Sequence, residues 1–232
     1  MKRFYKSVAL AEVENGWSVA LDGKPIKTPA KRPFVASTRV MAEAAADEWD
    51  AQEDKINPAS MPITKAVNTA LDRTAPEHDA VADMVSDYGG SDLICYRAEG
   101  PEGLIARQAA AWDPLIDWAA DRYKARLITT TGVMHILQPE EGQAALRAVV
   151  RSYDPFKLTG LYDLVALSGS LVIGLAVAER NLTPEEGWAA SRVDHIWQED
   201  QWGPDDEATA QAAYKAEEFA QAARLIELVR LK

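Results

Sequence analysis

The sequence predicts an α+β fold, with a small N-terminal α/β domain over residues 1–58 and a larger, mainly helical domain over residues 59–232. Three observations lead there. Turn dipeptides at Asn15-Gly16 and Asp22-Gly23 punctuate short stretches of strand character near the N-terminus. From residue 61 onward, apolar residues recur at helical spacing, separated by glycine, proline and capping residues. Thr183-Pro184-Glu185-Glu186 reads as a complete helix start, with Thr183 as the cap, Pro184 in the first position and Glu186 poised to reach back to the cap.

Taken in order, Phe4–Val13 is rich in apolar residues and reads as a first strand. Trp17, Val19 and Leu21 alternate with Ser18, Ala20 and Asp22, the period of a half-buried strand. Lys24–Thr28 follows as an edge or irregular strand, because Pro25 and Pro29 cannot donate to a ladder. Ser37 or Thr38 caps a helix to about Gln52, with Val40, Met41, Ala44, Ala45 and Trp49 on one face. A proline-containing connection at Lys55–Ser60 marks the domain boundary.

Pro62 opens the next helix, with Val67, Ala70 and Leu71 inward. Glu77–Tyr88 is a helix with Val81, Met84 and Val85 inward, stopped by Gly89-Gly90. Leu93–Tyr96 reads as a short strand or extended crossing. Leu104–Trp112 and Pro114–Lys124 form two helices, or one kinked at Asp113-Pro114. Ala125–Leu137 is an extended loop with room for a short strand. Pro139–Ser152 is a helix, and Phe156–Glu179 a long central one. The capped helix from Thr183 runs to about Asp200. The last helix starts after Gly203-Pro204, with Tyr214, Phe219, Ala222, Ala223, Ile226 and Val229 on its buried face.

The net charge is −11, with no basic cluster, which argues against a nucleic-acid ligand and favours a basic partner surface. The longest uncharged run, Leu164–Ala178, falls short of the roughly 20 residues that span a bilayer, so no membrane insertion is expected. A single cysteine, Cys95, cannot form an internal disulfide, and its apolar setting suits a buried, inert thiol.

The stretch Trp188–Ala208 concentrates candidate functional residues. His195 and Glu199 stand one helical turn apart, and Asp194 and Gln198 adjoin them. An enzyme reading, a small hydrolase using the Asp194/His195 region, starts there. It lacks a G-x-S-x-G elbow, and a solvated polar helix face explains the same residues. His78, His135 and His195 fall in separate elements, so no metal site is expected, and Asp205, Asp206 and Glu207 suit a helix start. No nucleotide-binding motif occurs, and no cofactor and no catalytic residue are expected. Val193, Ile196 and Trp197 follow core spacing, whereas Trp202, at the helix break, suits a surface anchor.

Several blocks carry a resemblance. They are Val19–Ala30, Glu48-Trp49-Asp50-Ala51-Gln52, Met61-Pro62-Ile63-Thr64, Asn68–Asp72, Asp92–Ala98, Trp112-Asp113-Pro114-Leu115 and Gln198-Glu199-Asp200-Gln201-Trp202-Gly203. In this order they resemble the Atp12 family, the assembly chaperones of F1 ATP synthase. The resemblance implies a chaperone, not an enzyme, that binds the free F1 α subunit and keeps it from aggregating before it joins β. It implies partner-binding residues at Asp194, His195, Gln198, Glu199, Trp202, Gly203, Asp205 and Glu207, and a structural role for Trp49 in joining helix to sheet. His195 stands where the family pattern often has a glutamate. The expected state is a monomer in the bacterial cytoplasm, since the first strand follows Met1 directly, with relatives in the mitochondrial matrix.

Overall fold

The computed structural model describes residues 1–231, which divide into two compact units. One comprises Met1–His78, Asp154–Gly160 and residues 224–231, the other Asp79–Tyr153 and Leu161–Ala223. The architecture is α+β, as the sequence predicts: a small antiparallel sheet near the N-terminus and a mostly helical remainder.

In the first unit, β1 (Val8–Val13) pairs with β2 (Gly16–Leu21) from Val8↔Leu21 to Val13↔Gly16. Asn15 takes the left-handed conformation at φ 67° that closes this hairpin. Asp22 and Gly23, at φ 46° and 78°, turn the chain into β3 (Lys24–Pro25). The Asp22 carboxylate accepts from the Lys6 and Ser7 amides at 3.0 and 2.9 Å, which lowers its pKa. Strand β2 departs from the half-buried expectation: Ser18 and Ala20 are buried along with Val19 and Leu21, so both of its faces are covered.

Helix α1 (Arg39–Asp50) is capped by Thr38, whose hydroxyl accepts from the Met41 amide. Met41, Ala42, Ala44 and Ala45 enter the core with Val19, Phe34, Ile63 and Val67. Glu48 then caps the next helix, α2 (Pro62–Thr69): its two oxygens accept from Ile63 and Thr64 amides at 2.7 and 2.8 Å. Burial raises the Glu48 pKa, and these amide bonds work against that rise. Trp49 is half-buried; its ring meets the Tyr5 ring edge-on at 5.7 Å, and its carbonyl accepts from the Tyr5 hydroxyl at 2.6 Å. A π-helical turn at Ala70–Thr74 continues α2.

The second unit takes in most of α3 (His78–Asp87), then α4 (Glu102–Tyr123) and α5 (Glu140–Arg151). Met84 is exposed, not inward; Ala82, Val85 and Ser86 form the buried face. Leu93–Cys95 is a 3-10 turn, with β4 (Tyr96–Arg97) next; β4 pairs in parallel with β5 (Thr130–Thr131). Cys95 is buried and its thiol is pushed up to about 12 by desolvation, matching the inert reading. Of the two possibilities for Leu104–Lys124, one continuous helix with Pro114 inside it forms. Trp112 is fully buried, and its indole donates to the Ala190 carbonyl at 2.8 Å.

The long helix expected at Phe156–Glu179 is two helices, α6 (Pro155–Ser168) and α7 (Leu171–Ala178). Gly169 supplies a positive φ of 71°, and Ser170 caps α7 by accepting from the Ile173 amide. The periodicity of the run could not show this break, because apolar residues surround it on both sides. Gly174 permits the close return: a Cβ there would stand 2.6 Å from a Val165 methyl. The next expected helix is likewise divided into α8 (Pro184–Ser191) and α9 (Val193–Trp202). The predicted capping box is formed in full, with Thr183 and Glu186 bonded reciprocally at 2.8 and 3.1 Å. Ser191 bonds back to the Trp188 carbonyl as α8 closes, and Arg192 leaves the helical region. The last helix, α10 (Asp206–Arg230), buries Phe219, Ala222, Ala223 and Ile226, but Tyr214 points to solvent. No helix among the described residues is long and apolar enough to cross a membrane.

Candidate functional site

The break at Arg192 sets the orientation of α9 independently of α8. One face of α9 turns toward α4. Val193 is buried there, and Ile196 and Trp197 are half-buried, so Trp197 is less enclosed than its spacing suggests. The Arg107 guanidinium stacks over the Trp197 ring at 4.9 Å and pairs with Asp200 at 2.6 Å. Asp194 belongs to this face too. It accepts from the buried Gln108 side chain at 2.7 Å, and Gln108 in turn accepts from the Ala98 amide.

The opposite face carries His195, Gln198, Glu199 and Trp202, spaced i, i+3, i+4, i+7 along one stripe. This stripe forms one wall of a groove of about 580 Å³ in the second unit. Gly203 and Asp205 continue that wall, so six of the eight expected partner-binding residues line the groove. Asp194 does not, because it faces Gln108. Glu207 lies outside as well, exposed in the first turn of α10.

The other walls come from the end of α6 with Gly169, from Leu93, from Trp188 and Arg192, and from Ala208–Lys215 on α10. Leu93, the end of α6 with Gly169, and Lys215 escape sequence reasoning because they lie outside the stretch Trp188–Ala208. The turn at Gly169 brings the first pair together, through a bond from the Leu93 amide to the Gly169 carbonyl at 3.1 Å. Trp188, which lines the groove, packs its ring 5.7 Å from that of Phe219.

The electrostatics differ from a simple acidic face. The Glu199 carboxylate is held by Arg192 at 2.8 Å and does not bond to His195. Asp205 accepts from the Ala208 amide at 2.8 Å, capping α10 as its position in the sequence suggests. Lys215 adds a cation to the far wall. The groove therefore mixes both signs around apolar surface. Its serines are engaged with backbone: Ser191 donates to the Trp188 carbonyl at 2.7 Å and Ser168 to that of Leu164 at 2.7 Å. No group of histidine, cysteine and carboxylate side chains able to hold a metal occurs among the described residues. What stands out is Trp202, which is 79% exposed at the rim. Gly203 turns the chain directly after it with φ 86°, and its amide closes α9 onto Glu199.

Comparison with known proteins gives this arrangement a context. The family described as ATP12 chaperone protein matches residues 2–120, from the N-terminal sheet through most of α4. The crystal structure of Atp12 from Paracoccus denitrificans shares 45% identity and a TM-score of 0.96, covering 99% of this chain and 98% of that one. The Atu1473 protein of Agrobacterium tumefaciens also shares 45% identity, with a TM-score of 0.93, covering 97% of this chain and 85% of that one. The likeness to these structures extends past the family match and through the groove, and on both grounds the chain belongs to the ATP12 chaperone family.

Proposed function

We propose that this chaperone binds the free α subunit of F1 ATP synthase and holds it soluble until it joins β. The observation that carries the reading is Trp202, a large apolar side chain left 79% exposed at a groove that Trp188 also lines. A solvated tryptophan ringed by polar groups is a natural interface anchor. The net charge of −11 favours encounter with a basic surface and speeds association more than it tightens binding. Affinity of that kind suits a client that must later be handed over.

In this role the protein works as a monomer in the bacterial cytoplasm, without catalysis or cofactor. His195, Gln198, Glu199, Trp202, Gly203 and Asp205 meet the client, Asp194 positions α9 through Gln108, and Glu207 adds charge at the rim. Release follows competition by the β subunit for the same client surface.

Dilution of denatured α subunit into buffer tests this directly. Equimolar chaperone is expected to suppress light scattering, and the tagged protein to retain α at modest salt. Unchanged scattering together with no retained α would sink the reading.

A further inference from the structure

A second apolar feature lies outside the groove. Between β5 and α5 the chain forms a loop whose tip places Val133, Met134 and Leu137 in solvent at 91%, 77% and 84% exposure. Ile128 at its base is half exposed as well. Isolated exposed apolar residues are ordinary, but three large ones within one short loop are not.

The loop is held at its base. The Gln138 side-chain amide pairs with the Ile128 backbone like a neighbouring strand, accepting from its N–H at 2.7 Å and donating to its carbonyl at 2.9 Å. Halfway along, the Gly132 amide donates to the Arg97 carbonyl at 2.8 Å, extending the β4–β5 ladder. The Tyr96 hydroxyl and His135 Nδ1 stand 3.2 Å apart across the same ladder. Arg97 is itself fixed, by the Ile94 carbonyl and by Asp113, each at 2.8 Å. The ordering cost of this loop is thus met when the protein folds, and a partner that covers the tip does not bear it.

We propose that the loop of residues 128–138 is a second docking element, whose apolar tip seats in an apolar, basic-rimmed depression on the client. This inference rests on the function proposed above. Charge selects the occupant. Glu99, Glu140 and Glu141 are exposed around the loop, while the nearby cations Arg97 and Arg126 are taken by Asp113 and Asp117. An acidic rim on a chain of net charge −11 repels an anionic bilayer and a second copy of itself alike. The client of the groove is also within reach. Leu93 lines that groove, and the short segment from Leu93 leads directly into β4, which carries the loop through β5.

The test is a triple variant, Val133→Ser, Met134→Ser and Leu137→Ser, titrated with purified F1 α subunit beside the wild type. Its affinity is expected to fall about tenfold or more, with an unchanged unfolding midpoint because all three side chains are solvated. Equal affinity of variant and wild type overturns this inference alone. A wild type that fails to bind α overturns the proposed function, and this occupant with it. Phosphatidylglycerol vesicles and sedimentation at raised protein concentration complete the experiment. Vesicle binding or self-association of the wild type that the triple variant loses assigns the tip to a different occupant and overturns the proposal.

Discussion

Helix α7 and residues 201–210 lie in the same compact unit and could hardly differ more. All eight residues of α7 are buried, including its three small residues Gly174, Ala176 and Ala178. All ten residues of the other stretch are exposed, with Trp202 among them. Both contain large apolar side chains. The fold spends those of α7 on its own core and leaves Trp202 unsatisfied. Apolar content alone therefore does not separate core from site; what separates them is whether the rest of the chain supplies partners. Substitutions in the two stretches should therefore have opposite consequences for stability and for binding.

The largest effect on stability is expected from Ile173→Ala. Ile173 is fully buried in α7, and protein interiors are packed densely enough that removing most of its side chain leaves a cavity. The substitution should cost about 2–5 kcal/mol, read as a lower urea midpoint with an unchanged slope. A cost under about 1 kcal/mol would mean that α7 is loosely packed.

A second effect is expected from Asp92, which is fully buried where the chain meets the start of α7. Its oxygens accept from the Ile94 and Val172 amides at 3.3 and 3.0 Å. Desolvation nevertheless dominates and pushes its pKa from 3.8 up to about 6. The folded state thus holds this proton more tightly than the unfolded chain does. The resulting stabilisation is complete below about pH 3.8 and is lost as pH rises through about 6. The shift corresponds to about 3 kcal/mol. Between pH 4 and pH 7 the wild type should therefore lose stability relative to Asp92→Asn, which has no such titration. Parallel stability curves for the two proteins would show that Asp92 titrates in the ordinary carboxylate range.

The same contrast explains what could be read from the sequence. The N-terminal hairpins, the Thr38 cap and the Thr183–Glu186 capping box are local chemistry, and each formed where its residues stand. The face of α9 was legible too, since His195, Gln198, Glu199 and Trp202 repeat at helical spacing. The breaks at Gly169 and Arg192 were not. In an evenly apolar run, periodicity carries no phase, so a turn that depends on one glycine leaves no trace in it. Met84 and Tyr214 follow core spacing, yet both are exposed, because spacing locates a face without saying whether anything covers it. For the same reason the groove walls from Leu93, Gly169 and Lys215 became visible only in three dimensions. Partners also redefine charge. In sequence Glu199 stands one turn from His195 and Asp194 suits a solvated polar face, but Arg192 and Gln108 engage them instead.

The smallest effect on stability, and the most direct probe of the site, is expected from Trp202→Ser. The side chain is 79% exposed, and the helix end is secured without it by the bond from the Gly203 amide to the Glu199 carbonyl at 2.8 Å. The unfolding free energy should therefore stay within about 0.5 kcal/mol of the wild type. Retention of the F1 α subunit should fall in the same preparation, since removing an exposed aromatic anchor takes away contact area that only the complex buries. The pair of measurements separates two failures. A stability loss like that of Ile173→Ala would place Trp202 in the core and erase the contrast between the two stretches. Full retention of α by a stable variant would keep the contrast but move the anchor elsewhere on the surface.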